Sequence, residues 1–234
     1  MIKLSDRLQK IADFVEIGES VADIGTDHGF LPIVLRESGK SPHVILSDIN
    51  KGPLEKAKAN IEKNVPEKEF DLRIGSGINT LKEAEVDAVV IAGMGGLLIA
   101  EILGDDLAKT KTYKKLILQP RNAPEKLRAW LFNNGFFIDD EALVKEGKYL
   151  CEIIVAKPDN QKVLEAPEEI DLEISPILFQ KKDPLLVEFI ENKIRIEKKI
   201  LKAIQTGANK EKTELLKKSE QRIALLQGLR KRSD

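Results

Sequence analysis

At 234 residues and a net charge of −1, the chain has length for one sizeable core, or for one core and a small appendage. Its longest apolar run, Ala88 to Ala92, falls far short of the roughly 20 residues of a membrane-spanning helix, and nothing reads as a targeting segment, so a soluble cytoplasmic protein with no membrane partner is expected. The single cysteine, Cys151, rules out an internal disulfide, and no cysteine or histidine cluster has metal-ligand spacing, so no metal is expected.

Residues 2–15 place Leu4, Leu8, Ile11, Ala12 and Val15 at the helical period, with Ser5 and Asp6 as cap candidates. SVADIG then reads as a short strand, and FLPIVLRES as a helix that tolerates Pro32 because it lies in the first turn. Strand and helix alternate from there: HVILSD and PLEKAKANIEKN, DLRIG and a short TLKEA helix, DAVVIAG and GLLIAEIL, KLILQP and PEKLRAWLFNN. Such alternation predicts a parallel sheet with helices on both faces. VVIAG and LILQP, apolar without polar alternation, fit strands buried on both sides. After Asn134-Gly135, FFIDDEALVKEG and YLCEIIVAK flank a short polar turn and predict an antiparallel hairpin closing the sheet edge. The expected fold is α/β, a Rossmann-like sheet of seven strands with the last hairpin antiparallel, similar in architecture to class I methyltransferases, in a domain covering 1–158.

The stretch from Pro158 to Pro176 is acidic, proline-punctuated and weakly periodic, and reads as a linker. Beyond Pro184, Leu186, Phe189, Ile190, Ile194, Ile200, Leu201 and Ile204 recur at spacings of three and four, and a second run after TGAN carries Leu215, Leu216, Ile223, Leu226 and Leu229. Two long helices around a Gly-containing turn predict a coiled-coil-like hairpin, each helix burying its apolar stripe on the other. Linker and hairpin form a second domain, 159–234. Residues 193–234 hold 13 Lys and Arg against 5 Asp and Glu, while 1–192 hold 25 against 34. This asymmetry points to a polyanionic partner for the tail, although a solvated helical face rich in lysine gives the same count. The rival use of the hairpin is homodimerisation or protein docking; a monomer is the expected state.

In a doubly wound sheet, ligands settle outside the carboxyl ends of the strands where strand order reverses. VADIGTDHGF, residues 21–30, falls there. Gly25 allows a sharp turn after the strand, and Gly29 lets the next helix begin close to a ligand. Asp23 can accept hydrogen bonds from a cationic amine. Asp48 ends the next strand, 23 residues after Gly25, about where an acid reaches ribose hydroxyls. A dinucleotide would need G-x-G-x-x-G with bare amides against its pyrophosphate. Here Asp27 occupies the middle of the turn, which disfavours a diphosphate and suits a sulfonium and ammonium ligand. The turn therefore favours S-adenosylmethionine over NAD, while any one of these acids alone could be a helix cap or solvated loop. IAGMGG ends the fourth strand with Gly93, Gly95 and Gly96, where backbone is expected to approach something closely, or to form an ordinary strand-to-helix turn. Gln119-Pro120-Arg121-Asn122 ends the fifth; Gln119 could read a base edge and Arg121 a phosphate, with Asn122 equally suited to a cap.

LSDRL (residues 4–8), DIGTDHGFLPI, SDINKGPLEKAKANI, VVIAGMGG, LILQP, LRAWLFNNGFFI and EISPILFQKKDPL together resemble the bacterial tRNA adenine-22 N1-methyltransferase family, TrmK, over nearly the whole chain. DIGTDHG and IAGMGG are the family-specific parts. The resemblance implies S-adenosylmethionine as donor and N1 of an adenine in the D-arm region of tRNA as acceptor. It implies Asp23, Gly25, Asp27 and His28 at the methionine side, Asp48 and Asn50 at the ribose, and Gly93, Met94 and Gly95 around the donor and the incoming base. The family usually carries an acid in its third-strand motif; here the stretch is Gly75-Ser76-Gly77, leaving Ser76 for the cofactor adenine.

N1 of adenine has an available lone pair at neutral pH, so transfer needs positioning more than a base. Asp27 is expected to stabilise the cation that develops on the acceptor, with His28 orienting it; His28 has a competing reading as a structural cap of the following helix. A noncatalytic RNA-binding protein on a degenerate fold and a small-molecule methyltransferase are the alternatives; Asp23, Asp48 and GMGG count against the first, the basic hairpin against the second.

Overall fold

The computed structural model describes residues 2–159, 167–206 and 212–233. Residues 207–209 of the expected TGAN turn and 160–166 of the expected linker lie outside those ranges. Contacts divide the chain into two units, 1–173 and 174–234.

In the first unit, α1 (Asp6–Asp13) begins where the Ser5 hydroxyl accepts a hydrogen bond from the Leu8 amide, so Ser5 is the cap and Asp6 sits in the first turn, where the helix dipole favours an anion. The helix is shorter at both ends than the 2–15 pattern suggested. There follow β1 (Val21–Ile24), α2 (Phe30–Glu37), β2 (Val44–Asp48), α3 (Lys51–Asn64), β3 (Asp71–Ile74), β4 (Ala88–Met94), α4 (Gly96–Gly104), α5 (Leu107–Thr110), β5 (Lys115–Pro120), α6 (Pro124–Asn133), β6 (Phe136–Glu146), β7 (Tyr149–Pro158) and α7 (Glu169–Glu173). The seven strands form one sheet in the order β3-β2-β1-β4-β5-β7-β6. Neighbours from β3 through β5 are parallel, and β7 runs antiparallel to both β5 and β6. Strand order reverses at β1 and β4, and the carboxyl ends of those strands hold the DIGTDHG and GMGG turns.

The expected TLKEA helix is absent. A 3-10 turn at Gly77–Thr80 stands just before it, the Thr80 carbonyl accepts from the Arg73 guanidinium at 2.7 Å, and Ala84 takes a φ of +50°. A side chain from β3 has claimed the carbonyl that a helix would have used. The expected linker also contains structure, since α7 lies inside it.

Each buried strand feeds two cores by alternation. Ala22, Ile24, Ile45, Val89, Ile91 and Leu118 pack with Ile99, Leu103, Leu127 and Leu131 of α4 and α6. Val21, Val44, Leu46, Ala88, Val90 and Ile117 pack with Ile11, Leu31, Leu54 and Ala57 of α1, α2 and α3. The hairpin is tied down by a buried polar cluster. Arg128, on α6, is 1% exposed and reaches Glu141 at 2.8 Å and Glu152 at 2.6 Å, and its third arm donates to the Leu172 carbonyl at 2.9 Å. Burial works against this guanidinium, but the two carboxylates more than offset it, so its pKa is raised.

In the second unit, α8 (Pro176–Gln180) is capped by Ser175, and α9 (Leu186–Thr206) packs along α10 (Lys212–Arg232). Leu186, Phe189 and Ile190 are buried. Ile200, expected on the same stripe, is 45% exposed; the seam position is taken by Glu197, at 8%. Glu197 accepts from the Ser219 hydroxyl at 2.7 Å and pairs with Arg222 at 3.1 Å, while Arg230 reaches Glu191 at 2.8 Å. Among the described residues, no helix is long and apolar enough to cross a membrane.

Replacing Arg128 with Ala would strand two buried carboxylates, so Arg128→Ala is expected to lower unfolding free energy by about 3–5 kcal/mol. Urea denaturation reads this directly; a loss below about 1 kcal/mol would contradict the assignment of the cluster as the hairpin's anchor.

Candidate active site

The turn between β1 and α2 is pinned from below: the amides of Gly25 and Thr26 both donate to the Ser47 carbonyl, at 2.7 and 3.1 Å. Gly25 has a φ of +79°, and a Cβ there would stand 2.0 Å from Cε of Met94. Glycine at 25 thus permits both the turn and the contact that joins the β1 loop to GMGG. Above it lies a cavity of about 190 Å³, lined by Arg7, Leu8, Asp23, residues 25–31 and Ala92.

Asp23 is 8% exposed. Burial raises its pKa to about 6, against a hydrogen bond with Thr26 and the nearby charge of Arg7, which lower it, while Asp48 pushes it up further. Asp27 and His28 stand together nearer solvent, Nε2 of His28 being 3.1 Å from the Asp27 carboxylate, with Lys56 at 3.5 Å on its other oxygen. His28 stacks on Phe30 at 5.2 Å, and its carbonyl accepts from Asn60 at 2.9 Å. It does not cap α2: the N-cap is Gly29, with no side-chain capping bond.

The remaining expected residues line the same sheet edge. Asp48 accepts from the Asn50 amide at 2.7 Å. Ser76 is exposed ahead of the 3-10 turn and makes no capping bond. Beside them Ile49 and Ile74 are 65% and 62% exposed, two apolar side chains at an otherwise polar edge; their signal in the sequence was an isoleucine beside each strand-end polar turn. Gly93 sits at a bulge in β4, where its amide donates to Oε1 of Gln119 at 3.2 Å. Part of the glycine richness of GMGG serves the protein's own backbone. The Gly96 amide donates to the Asn122 carbonyl at 3.0 Å, and a Cβ at 96 would meet the Ala123 carbonyl oxygen at 2.5 Å.

Gln119 is 2% exposed. Its Oε1 also accepts from Arg7 at 3.0 Å, and its amide nitrogen donates to the Pro120 carbonyl at 2.9 Å. Gln119 and Arg121 belong to a second cavity of about 350 Å³, where Glu146, Tyr149, Leu150 and Cys151 of the hairpin complete the wall. Arg7, held by Glu146 at 3.0 Å, lines both cavities. Sequence reasoning missed it: LSDRL was legible as a helix start, but nothing in the spacing said that its arginine crosses to β5.

A family described as tRNA (adenine(22)-N(1))-methyltransferase matches residues 21–227. The chain belongs to that family. The tRNA (adenine(22)-N(1))-methyltransferase of Bacillus subtilis is 33% identical over 233 residues, covering 96% of each chain. A Streptococcus pneumoniae protein solved in complex with S-adenosyl-L-methionine is 31% identical, with a TM-score of 0.79 over 94% of this chain and 99% of that one. The Mycoplasma capricolum TrmK structure in complex with S-adenosyl-homocysteine is 28% identical, with a TM-score of 0.81 over 99% of each chain.

Asp23 also makes a prediction about the fold. Its folded pKa of about 6 lies above the ordinary carboxylate value, so the cost of burying the charge is absent below about pH 4 and fully present once pH has risen past 6. Without ligand, Asp23→Asn should therefore be more stable than the parent at pH 8, by about 3 kcal/mol, and converge on it near pH 4. Denaturation midpoints at the two pH values check this; a difference independent of pH would remove the buried charge as its cause.

Proposed function

We propose that this chain transfers the methyl group of S-adenosyl-L-methionine to N1 of adenine 22 in tRNA. The observation that carries the reading is Asp23, a buried carboxylate of raised pKa in a cavity at the sheet's switch point. A sulfonium and ammonium ligand would compensate that charge, whereas a diphosphate would be repelled by it and by Asp27. The residues present fit the donor. Asp23, Gly25, Asp27 and His28 would hold its methionine end, Asp48 and Asn50 its ribose, and Ser76 with the exposed Ile49 and Ile74 its adenine. Gly93, Met94 and Gly95 would flank the donor and the incoming base, with Gln119 and Arg121 on the acceptor side.

When bound, the donor supplies an electrophilic methyl carbon on sulfur. The protein's part is to aim it: oriented pairs can gain roughly 7–11 kcal/mol over free encounter. Asp27, with His28 at 3.1 Å setting its orientation, stabilises the positive charge that grows on the acceptor ring. N1 lies on the Watson–Crick edge, so the base must leave its partner first. The second unit supplies sequence-independent grip on phosphates. Arg195, Lys198, Lys199 and Lys202 form an open basic row on α9. With α9 packed along α10 and Leu226 fully buried, the hairpin pairs its helices within one chain, and the protein works as a monomer in the cytoplasm beside its tRNA.

Incubation with labelled S-adenosyl-L-methionine and unmodified bulk tRNA, followed by nucleoside analysis, should yield 1-methyladenosine; donor binding with no label in tRNA would overturn the reading. In the same assay Asp27→Ala should lower kcat more than it weakens donor binding, and unchanged turnover with looser donor binding would reassign Asp27 to the donor site. Charge reversal of Lys198, Lys199 and Lys202 to Glu should weaken tRNA binding and flatten its dependence on salt while sparing donor affinity. Unchanged tRNA affinity would exclude the α9 row from the interface.

A further inference from the structure

None of the residues assigned above to the donor lines the second cavity. It is about 350 Å³, within the roughly 300–1,000 Å³ range of small-molecule sites, and Arg7 lines both it and the donor cavity. Its floor is Gln119 and Pro120. Its lip carries an exposed Arg121 on one side and, on the other, the β6–β7 hairpin turn, where Tyr149 is 65% exposed. A tyrosine so open at a hairpin tip stabilises little in the fold, and Lys148 Nζ stands 5.3 Å from its ring centroid, giving the ring a cationic companion. An open aromatic ring flanked by cations, at the mouth of a nucleotide-sized recess, is the combination that captures an unstacked nucleobase: the ring takes a base face, and the cations take the phosphates beside it.

We propose that this cavity receives the adenine extruded from tRNA, with Tyr149 as its stacking platform and Arg121 and Lys148 on the flanking phosphates. The proposal rests on the tRNA methyltransferase reading and adds to it the hairpin turn, which no strand-end motif of the Rossmann-like sheet includes. Arg7 acts as a positioning residue. Bonded to both Glu146 and Gln119, it holds the hairpin tip and the floor of the cavity at one separation.

Tyr149→Ala should raise the KM for tRNA about 5- to 150-fold, the range for loss of one base–aromatic stack, with donor affinity unchanged; Tyr149→Phe and Tyr149→Trp should stay close to the parent. An independent reading needs no substitution, because the chain's one cysteine, Cys151, lines this cavity. Alkylation of Cys151 by a neutral maleimide should slow under saturating tRNA and be unaffected by S-adenosyl-homocysteine alone. If the parent methylates tRNA while Tyr149→Ala keeps its KM and Cys151 reacts equally fast with and without tRNA, the cavity assignment fails and the enzyme reading stands. If the parent leaves tRNA unmethylated, both fall.

Discussion

A carboxylate sunk at the end of a buried strand is a standing cost to the fold, and the arrangement around Asp23 follows from it. The sheet excludes water from β1 on both faces, which raises the acid's pKa. Thr26 and Arg7 offset part of that cost without cancelling it. What is left over is an unmet demand for positive charge at one spot, and such a demand selects ligands by sign before any shape is considered. A residue that is costly in the empty protein would thus be relieved by a cationic ligand.

Arg7 shows how few groups are needed to make a site from a common sheet. It leaves an amphipathic helix that packs mostly through Ile11 and Ala12, crosses to the carboxamide of Gln119, and meets Glu146. Elements remote in sequence are joined through one planar cation, whose several donors suit it to bridging more than one oxygen acceptor. Another arginine of the unit, Arg128, also bridges several oxygen acceptors, in the opposite environment. There both carboxylate partners are buried and the outcome is a locked hairpin, whereas at Arg7 the carboxylate partner, Glu146, is part-exposed and the outcome is a side chain shared by two cavities.

The sheet was legible because buried parallel strands announce themselves as apolar runs ending in glycine and acid; β5 matched KLILQP from end to end. The two family turns were legible for the same reason. What escaped was decided by contacts distant in sequence. Thr80 lost its place in a helix to an arginine on β3, Ile200 lost the seam to Glu197, and the four residues of α5 are too few to show a period. In the site, strand-end acids could be located by counting, but Arg7, Tyr149, Ile49 and Ile74 take their meaning from what the folded chain sets opposite them. The glycines of GMGG were noticed as a demand for close approach; that Gly96 approaches the 122–123 backbone could be seen only in three dimensions.

The acid in the seam of the long helices has a consequence for how the helix pair behaves. Were α9 to slide along α10 by one turn, Glu197 would leave both Ser219 and Arg222, and a carboxylate would be shut in without them. Sliding is therefore penalised at one point, as in coiled coils whose pairing is fixed by a single interior polar residue. The basic row from Arg195 to Lys202 then repeats over about 10 Å of helix axis as a rigid scale. A polyanion laid along α9 would meet charges at fixed intervals, more ruler than brush.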